Sequence, residues 1–196
     1  MAKFKIIDNK VILHKEITML DEFVIETIGI VANYTNYVII GGYAAIFFGR
    51  ARATEDIDIF IQKLSFEDFS EMYDEFLRKG FEFTIEDKKS LYYDYLLGRL
   101  PINVWRKNLP LLRLEIKIPF KESQKKAFVK PVTVNFGNYA LVFAQFESQI
   151  AYKRYILKSE KDLEDARHLE LVFDGLDSAL IQEYKKEFEY SFTHGI

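Results

Sequence analysis

Cysteine is absent from this 196-residue sequence. Its absence removes disulfides, thiolate zinc sites and cysteine nucleophiles, and is compatible with a reducing interior. Histidine is almost as scarce: His14, His168 and His194 stand far apart and match no metal-ligating spacing. No uninterrupted apolar stretch reaches membrane-spanning length, and the opening MAKFKIIDNKVILHK lacks the apolar block of a secretory signal. A cytoplasmic protein with no membrane partner is therefore expected. A formal net charge of −3 provides no global basic field for nucleic acid, so RNA would need a basic cleft gathered by the fold. Repeats and low-complexity tracts are missing as well. What is present is the balance of a folded chain, 49% hydrophobic and 29% charged, long enough to bury a core.

Residues 16–33 read as a helix, with Leu20, Phe23, Val24, Ile28 and Val31 on one stripe. YVIIGG follows as a short buried strand and YAAIFFG as a helical stretch; TEDIDIFI alternates as a strand should. SFEDFSEMYDEFLRKG is the clearest helix, opened by Ser65 with Asp68 and closed by Gly80, its apolar face drawn as Phe66, Phe69, Tyr73, Phe76 and Leu77. DKKSLYYDYLLG reads as helical; PINVW, LRLEIKI and PVTVNFG read as strands, and PFKESQKKAFVK as a polar connection. From Glu147 on the pattern is helical throughout, in three amphipathic segments. The expectation is an α/β (α+β) domain over residues 1–140 and a helical domain over 141–196.

Two short motifs carry the chemistry. Gly41 and Gly42 stand where a strand delivers the chain to a helix N-terminus, so free N–H groups meet an approach unobstructed by side chains, a cradle for phosphate. A glycine pair also makes an ordinary tight turn. Asp56 and Asp58, two apart on a strand, project from one face while Ile57, Ile59 and Ile61 project from the other. Two carboxylates on one face repel unless a cation lies among them. That cation is a divalent metal, or else Arg50 or Arg52 pairing on a solvated face. Thirteen residues separate Gly42 from Asp56, room for a short helix and a return.

This pairing of Gly-Gly with a later Asp-x-Asp resembles the nucleotidyltransferase superfamily, the polymerase-beta-like fold. RATEDIDIFI looks especially like the AbiEii-type toxin group and its archaeal relatives. FESQIAYKRYILKSEKDLEDARHL is similar to the same group's signature: Glu147, a lysine six residues later at Lys153, then Lys161-Asp162 and Asp165-Ala166. The resemblance runs from Val38 to about Leu171. It implies a mixed sheet flanked by helices, followed by helices at the C-terminus. It also implies two Mg²⁺ ions on Asp56, Asp58 and a third acid. Glu115, in LLRLEIKI, is one candidate for that acid, and Asn103 in PINVW stands at the other position the superfamily uses. Gly41, Gly42, Arg52 and Lys153 would meet the phosphates, and Asp162 or Asp165 would orient or deprotonate an acceptor hydroxyl. Asp162 is also the third residue of a capping box begun by Ser159. Tyr92, Tyr93 and Tyr95 suit core and rim packing or, alternatively, stacking on a base.

The implied reaction moves an NMP from an NTP such as ATP to an acceptor hydroxyl and releases pyrophosphate. RNA or protein acceptors, and an antitoxin partner, belong to the toxin–antitoxin members of that group. A catalytically silent nucleotide-binding or partner-binding module of the same fold is the alternative, and Asn103 is the residue that would support it.

Overall fold

The computed structural model describes residues 3–54, 56–107 and 109–194. In chain order the elements are β1 (Phe4–Lys5), β2 (Lys10–Leu13), α1 (Met19–Val31), β3 (Tyr37–Ile40), α2 (Tyr43–Phe47), β4 (Asp56–Ile61), α3 (Phe66–Arg78) and β5 (Phe81–Phe83). There follow α4 (Lys88–Ser90), running on as wide π-type turns over Leu91–Leu96, then β6 (Ile102–Arg106), β7 (Leu109–Lys117) and α5 (Glu122–Lys125). The remainder is β8 (Val132–Phe136), β9 (Tyr139–Phe143), α6 (Phe146–Tyr152), α7 (Glu160–Val172), β10 (Phe173–Asp174) and α8 (Ser178–His194). Among the described residues from Phe146 on, the elements are helices apart from the two residues of β10.

The chain folds as two compact units, each built from separated segments. One comprises residues 16–37 and 53–119. Its strands lie side by side as β4, β7, β6 and β5, with β4 parallel to β7 and the later pairs antiparallel. Ile57, Ile59, Ile61, Ile102, Val104, Leu114 and Ile116 are all fully buried, each removing about 1.5–3 kcal/mol of apolar surface cost from water. Helices α1 and α3 pack with this sheet. A capping box starts α1, Thr18 accepting from Asp21 N–H and Asp21 accepting from Thr18 N–H. The helix therefore begins three residues later than the sequence pattern suggested. Ser65 caps α3 by accepting from Asp68 N–H at 3.0 Å. The buried face of α3 is Phe69, Met72, Tyr73 and Phe76. Leu77, expected on it, is exposed.

The other unit comprises the residues up to Lys15, Val38–Arg52 and the chain from Phe120 on. Here β2 runs parallel to β8, β8 antiparallel to β9, and β9 parallel to β3; β1 pairs with β10. Its core is aromatic. Phe48 meets Phe173 at 4.7 Å and Phe146 at 5.3 Å between ring centroids, both edge to face, and Phe146 stacks on Phe173 at 4.2 Å. These rings tie α2, α6 and the end of α7 to the strands. Strands β1, β2, β5, β9 and β10 were not read from the sequence. Among the described residues no helix is long and apolar enough to cross a membrane.

Candidate functional site

The alternation in β4 sorts its residues as expected: the three isoleucines are buried, and Asp56 and Asp58 stand on the opposite, partly open face. The parallel register with β7 sets Asp56 opposite Arg113, Asp58 opposite Glu115 and Phe60 opposite Lys117. On the other side of β7, Asn103 stands opposite Glu115. Asp58, Glu115 and Asn103 thus form one row across three strands. Both positions considered for the third acid lie in that row, and Glu115 is the one next to Asp58.

The positive charge demanded by the paired aspartates comes from β7. Arg113 Nε donates to Asp56 Oδ1 at 2.8 Å, and Lys117 Nζ donates to Asp58 Oδ1 at 2.9 Å. Lys117 also pairs with Glu115, so one ammonium serves two carboxylates. Burial lifts the Glu115 carboxyl above its ordinary range; Lys117 pulls it back, and the charge of Asp58 adds to the lift. Burial works to lower the Lys117 pKa, but Asp58 and Glu115 outweigh it and raise the ammonium above its ordinary value. The alternation Arg113, Glu115, Lys117 on one face of β7 was legible, and it is the signal from which these two cations could have been found.

Among the described residues no three metal-ligating side chains converge on one point: Asp56 is turned to Arg113, while Asp58 and Glu115 share Lys117. The donor set nevertheless suits a hard divalent cation, because two carboxylates in register already enclose a position held by one positive group. Asp58 and Glu115 would hold Mg²⁺ there, with Asp56 beside them.

In the other unit, β3 is followed by Gly41, whose φ of +76° lies in the left-handed region that favours glycine. Gly42 precedes α2, which is only five residues long. A Cβ at Gly42 would lie 2.8 Å from Arg52 Nη2. A side chain there would have to push the guanidinium aside. Arg52 Nη1 in turn donates to Asp165 Oδ2 at 2.6 Å. Lys153 Nζ donates to the same oxygen at 2.8 Å, and Arg50 pairs with Oδ1 and with Glu164. Arg50 also donates to the Lys161 carbonyl at 2.9 Å.

Asp165 is therefore wholly buried beneath three cations. Burial by itself would raise its pKa, but Lys153, Arg50 and Arg52 more than reverse this and hold it below its usual range. Lys153 heads the π-type turns that continue α6 over Lys153–Leu157 and is itself buried. Asp162 takes the capping place read for it, its N–H donating to Ser159 Oγ at 3.3 Å, and its Oδ1 lies 3.5 Å from Lys153 Nζ. Lys161 and Arg167 are exposed. Tyr92 is buried, its hydroxyl donating to the Leu64 carbonyl at 2.7 Å, whereas Tyr93 is exposed.

No family model matches the chain, and no curated protein matches it in sequence. Solved structures do match. The chain is similar to the lincomycin-bound lincosamide antibiotic adenylyltransferase LnuA, with a TM-score of 0.51 and 12% identity over 81% of this chain and 99% of that one. It is similar to the antibiotic-resistance factor ANT(2'')-Ia, with a TM-score of 0.53 and 14% identity over 89% and 95% of the two chains. A third match is an antigenic nucleotidyltransferase-like protein from Paracoccidioides brasiliensis, with a TM-score of 0.50 and 17% identity over 85% and 86%. The mixed sheets, their helices and the helical C-terminal stretch are those of the nucleotidyltransferase fold.

Proposed function

We propose that the protein transfers an NMP from a nucleoside triphosphate to an acceptor hydroxyl, with Mg²⁺ held by Asp56, Asp58 and Glu115. The observation that carries this reading is the register of Asp58 with Glu115 on the open face of β4 and β7, in a chain with the nucleotidyltransferase fold. Bound Mg²⁺ would supply charge stabilisation for the attacking and leaving oxygens. The acceptor oxygen forms a bond to the α-phosphorus, the bond to pyrophosphate breaks, and the hydroxyl proton passes to solvent. The resemblance assigns the β- and γ-phosphates to Gly41 and Gly42. Arg52, lying against Gly42, meets their charge.

Asp165 serves as a positioning residue. With both oxygens engaged by cations, it holds Arg50, Arg52 and Lys153 in fixed rotamers, so these groups need no reordering when an anion arrives. This differs from both roles the resemblance offers, orienting or deprotonating an acceptor hydroxyl, because both oxygens are already taken by cations. Lys153 acts with it, behind Arg52. The AbiEii-type group supplies the toxin–antitoxin setting, with RNA or protein as acceptor and an antitoxin as partner. The adenylyltransferase among the similar structures makes a small hydroxylated molecule an equal candidate acceptor.

The test is label transfer from each α-³²P-labelled NTP to RNA, to protein and to small hydroxylated compounds, with Mg²⁺. Transfer by the wild type and its loss in Asp56→Ala/Asp58→Ala is the expected result. A second reading, a catalytically silent module of the same fold, is favoured by one observation: Arg113 and Lys117 already pair with all three acids. Nucleotide binding with no transfer to any acceptor would favour it.

A further inference from the structure

Lys117 occupies a particular place on the carboxylate face. Asp58 and Glu115 are in register on paired strands, so their separation is set by the sheet and not by flexible loops. Lys117 follows Glu115 by two residues on β7 and therefore projects to the same face. Its ammonium donates to Asp58 at 2.9 Å and pairs with Glu115. A divalent ion ligated by the same two carboxylates needs the position the ammonium holds. The two occupants exclude each other, by geometry and by like charge. The lysine can leave while the acids cannot: its head is carried on a four-carbon stem and its side chain is about one-third exposed, at 32%. Arg113 differs, for its Nε donates to Asp56.

We propose that Lys117 is the resident counter-ion of the Asp58–Glu115 pair and that a divalent cation enters by displacing its ammonium. Lys117 thereby determines how tightly metal binds. This rests on the reading that these carboxylates hold the metal. The face carries three acids against Arg113 and Lys117, so its charge is nearly balanced before metal arrives. Metal alone gains little there. Metal arriving with a polyphosphate gains more, because the displaced ammonium remains tethered on the same face as a partner for phosphate. The arrangement favours uptake of the cation together with nucleotide over uptake of the free ion.

The experiment is Mn²⁺ binding without nucleotide, followed by the electron paramagnetic resonance signal of the free ion, on wild type, Lys117→Met, Lys117→Arg and Asp58→Asn. Removing a competitor worth about 1 kcal/mol at a partly exposed ion pair tightens binding roughly fivefold. Lys117→Met should show that gain, Lys117→Arg should stay near the wild type, and Asp58→Asn should bind least. Wild-type and Lys117→Met affinities that are equal, or weaker in the variant, with Asp58→Asn still the weakest, would overturn the role of Lys117 and leave the metal site standing. Absence of Mn²⁺ binding in wild type and Lys117→Met alike, with both still folded by circular dichroism, would overturn the metal reading itself.

Discussion

Replacing Asp165 with asparagine keeps the shape of the side chain and removes the one charge that three cations share. Its side chain has no exposure, and those of Lys153, Arg50 and Arg52 have 4%, 14% and 17%. Water therefore cannot take over the lost neutralisation at Lys153, and does so only partly at the arginines. Breaking a buried pair from one side costs about 3–5 kcal/mol. Lys153 retains Asp162 at 3.5 Å, which sets the expectation near the lower end, about 3 kcal/mol. Urea denaturation of wild type and Asp165→Asn measures it. Adding Lys153→Met to Asp165→Asn removes the stranded ammonium and should recover at least about 1 kcal/mol. The pH dependence follows from the lowered pKa of Asp165. Such a group adds stability above its unfolded value of about 3.9, and that contribution is lost as pH falls through the folded value. The gap between wild type and Asp165→Asn should be full at neutral pH and close below about pH 4. A loss under about 1 kcal/mol at neutral pH, or further destabilisation by Lys153→Met, would refute the anchoring role.

Two other substitutions separate backbone from side-chain causes and core from site. Gly41→Ala puts a side chain at a φ of +76° and should cost about 1–2 kcal/mol. Gly42→Ala meets only the guanidinium of Arg52 and should cost about 1 kcal/mol by weakening its bond to Asp165. Thermal unfolding distinguishes them, and introducing Arg52→Ala beforehand should abolish the second cost but not the first. Tyr92→Phe strands the Leu64 carbonyl and should lose about 1–2 kcal/mol with nucleotide affinity unchanged. A weakened nucleotide affinity instead would restore Tyr92 as a stacking residue.

Much of the carboxylate face was legible because a strand's period of two prints it directly. Isoleucine and aspartate alternate in β4, and leucine or isoleucine alternates with Arg113, Glu115 and Lys117 in β7. The pattern could not say which acid faces which cation, since register is a property of strand pairing and not of one strand. The burial of Asp165 was hidden for a related reason. Its helix carries acids on several sides, and the arginines that cover it lie 113 and 115 positions earlier in sequence, a separation that periodicity cannot bridge. Leu77 was assigned to the buried face of α3 as one of its large apolar side chains, a place Met72 takes instead. Strands β5 and β10, of three and two residues, are too short to show alternation. Strand β9 reads as a plain apolar run continuous with the helix that follows.

Nucleotide binding by calorimetry, across the four NTPs with and without Mg²⁺, tests the central claim most directly when wild type is set beside Asp56→Ala/Asp58→Ala. The account predicts Mg²⁺-dependent binding of at least one NTP by the wild type and its loss in the double variant. No binding of any NTP, or binding indifferent to both Mg²⁺ and the two aspartates, would contradict it.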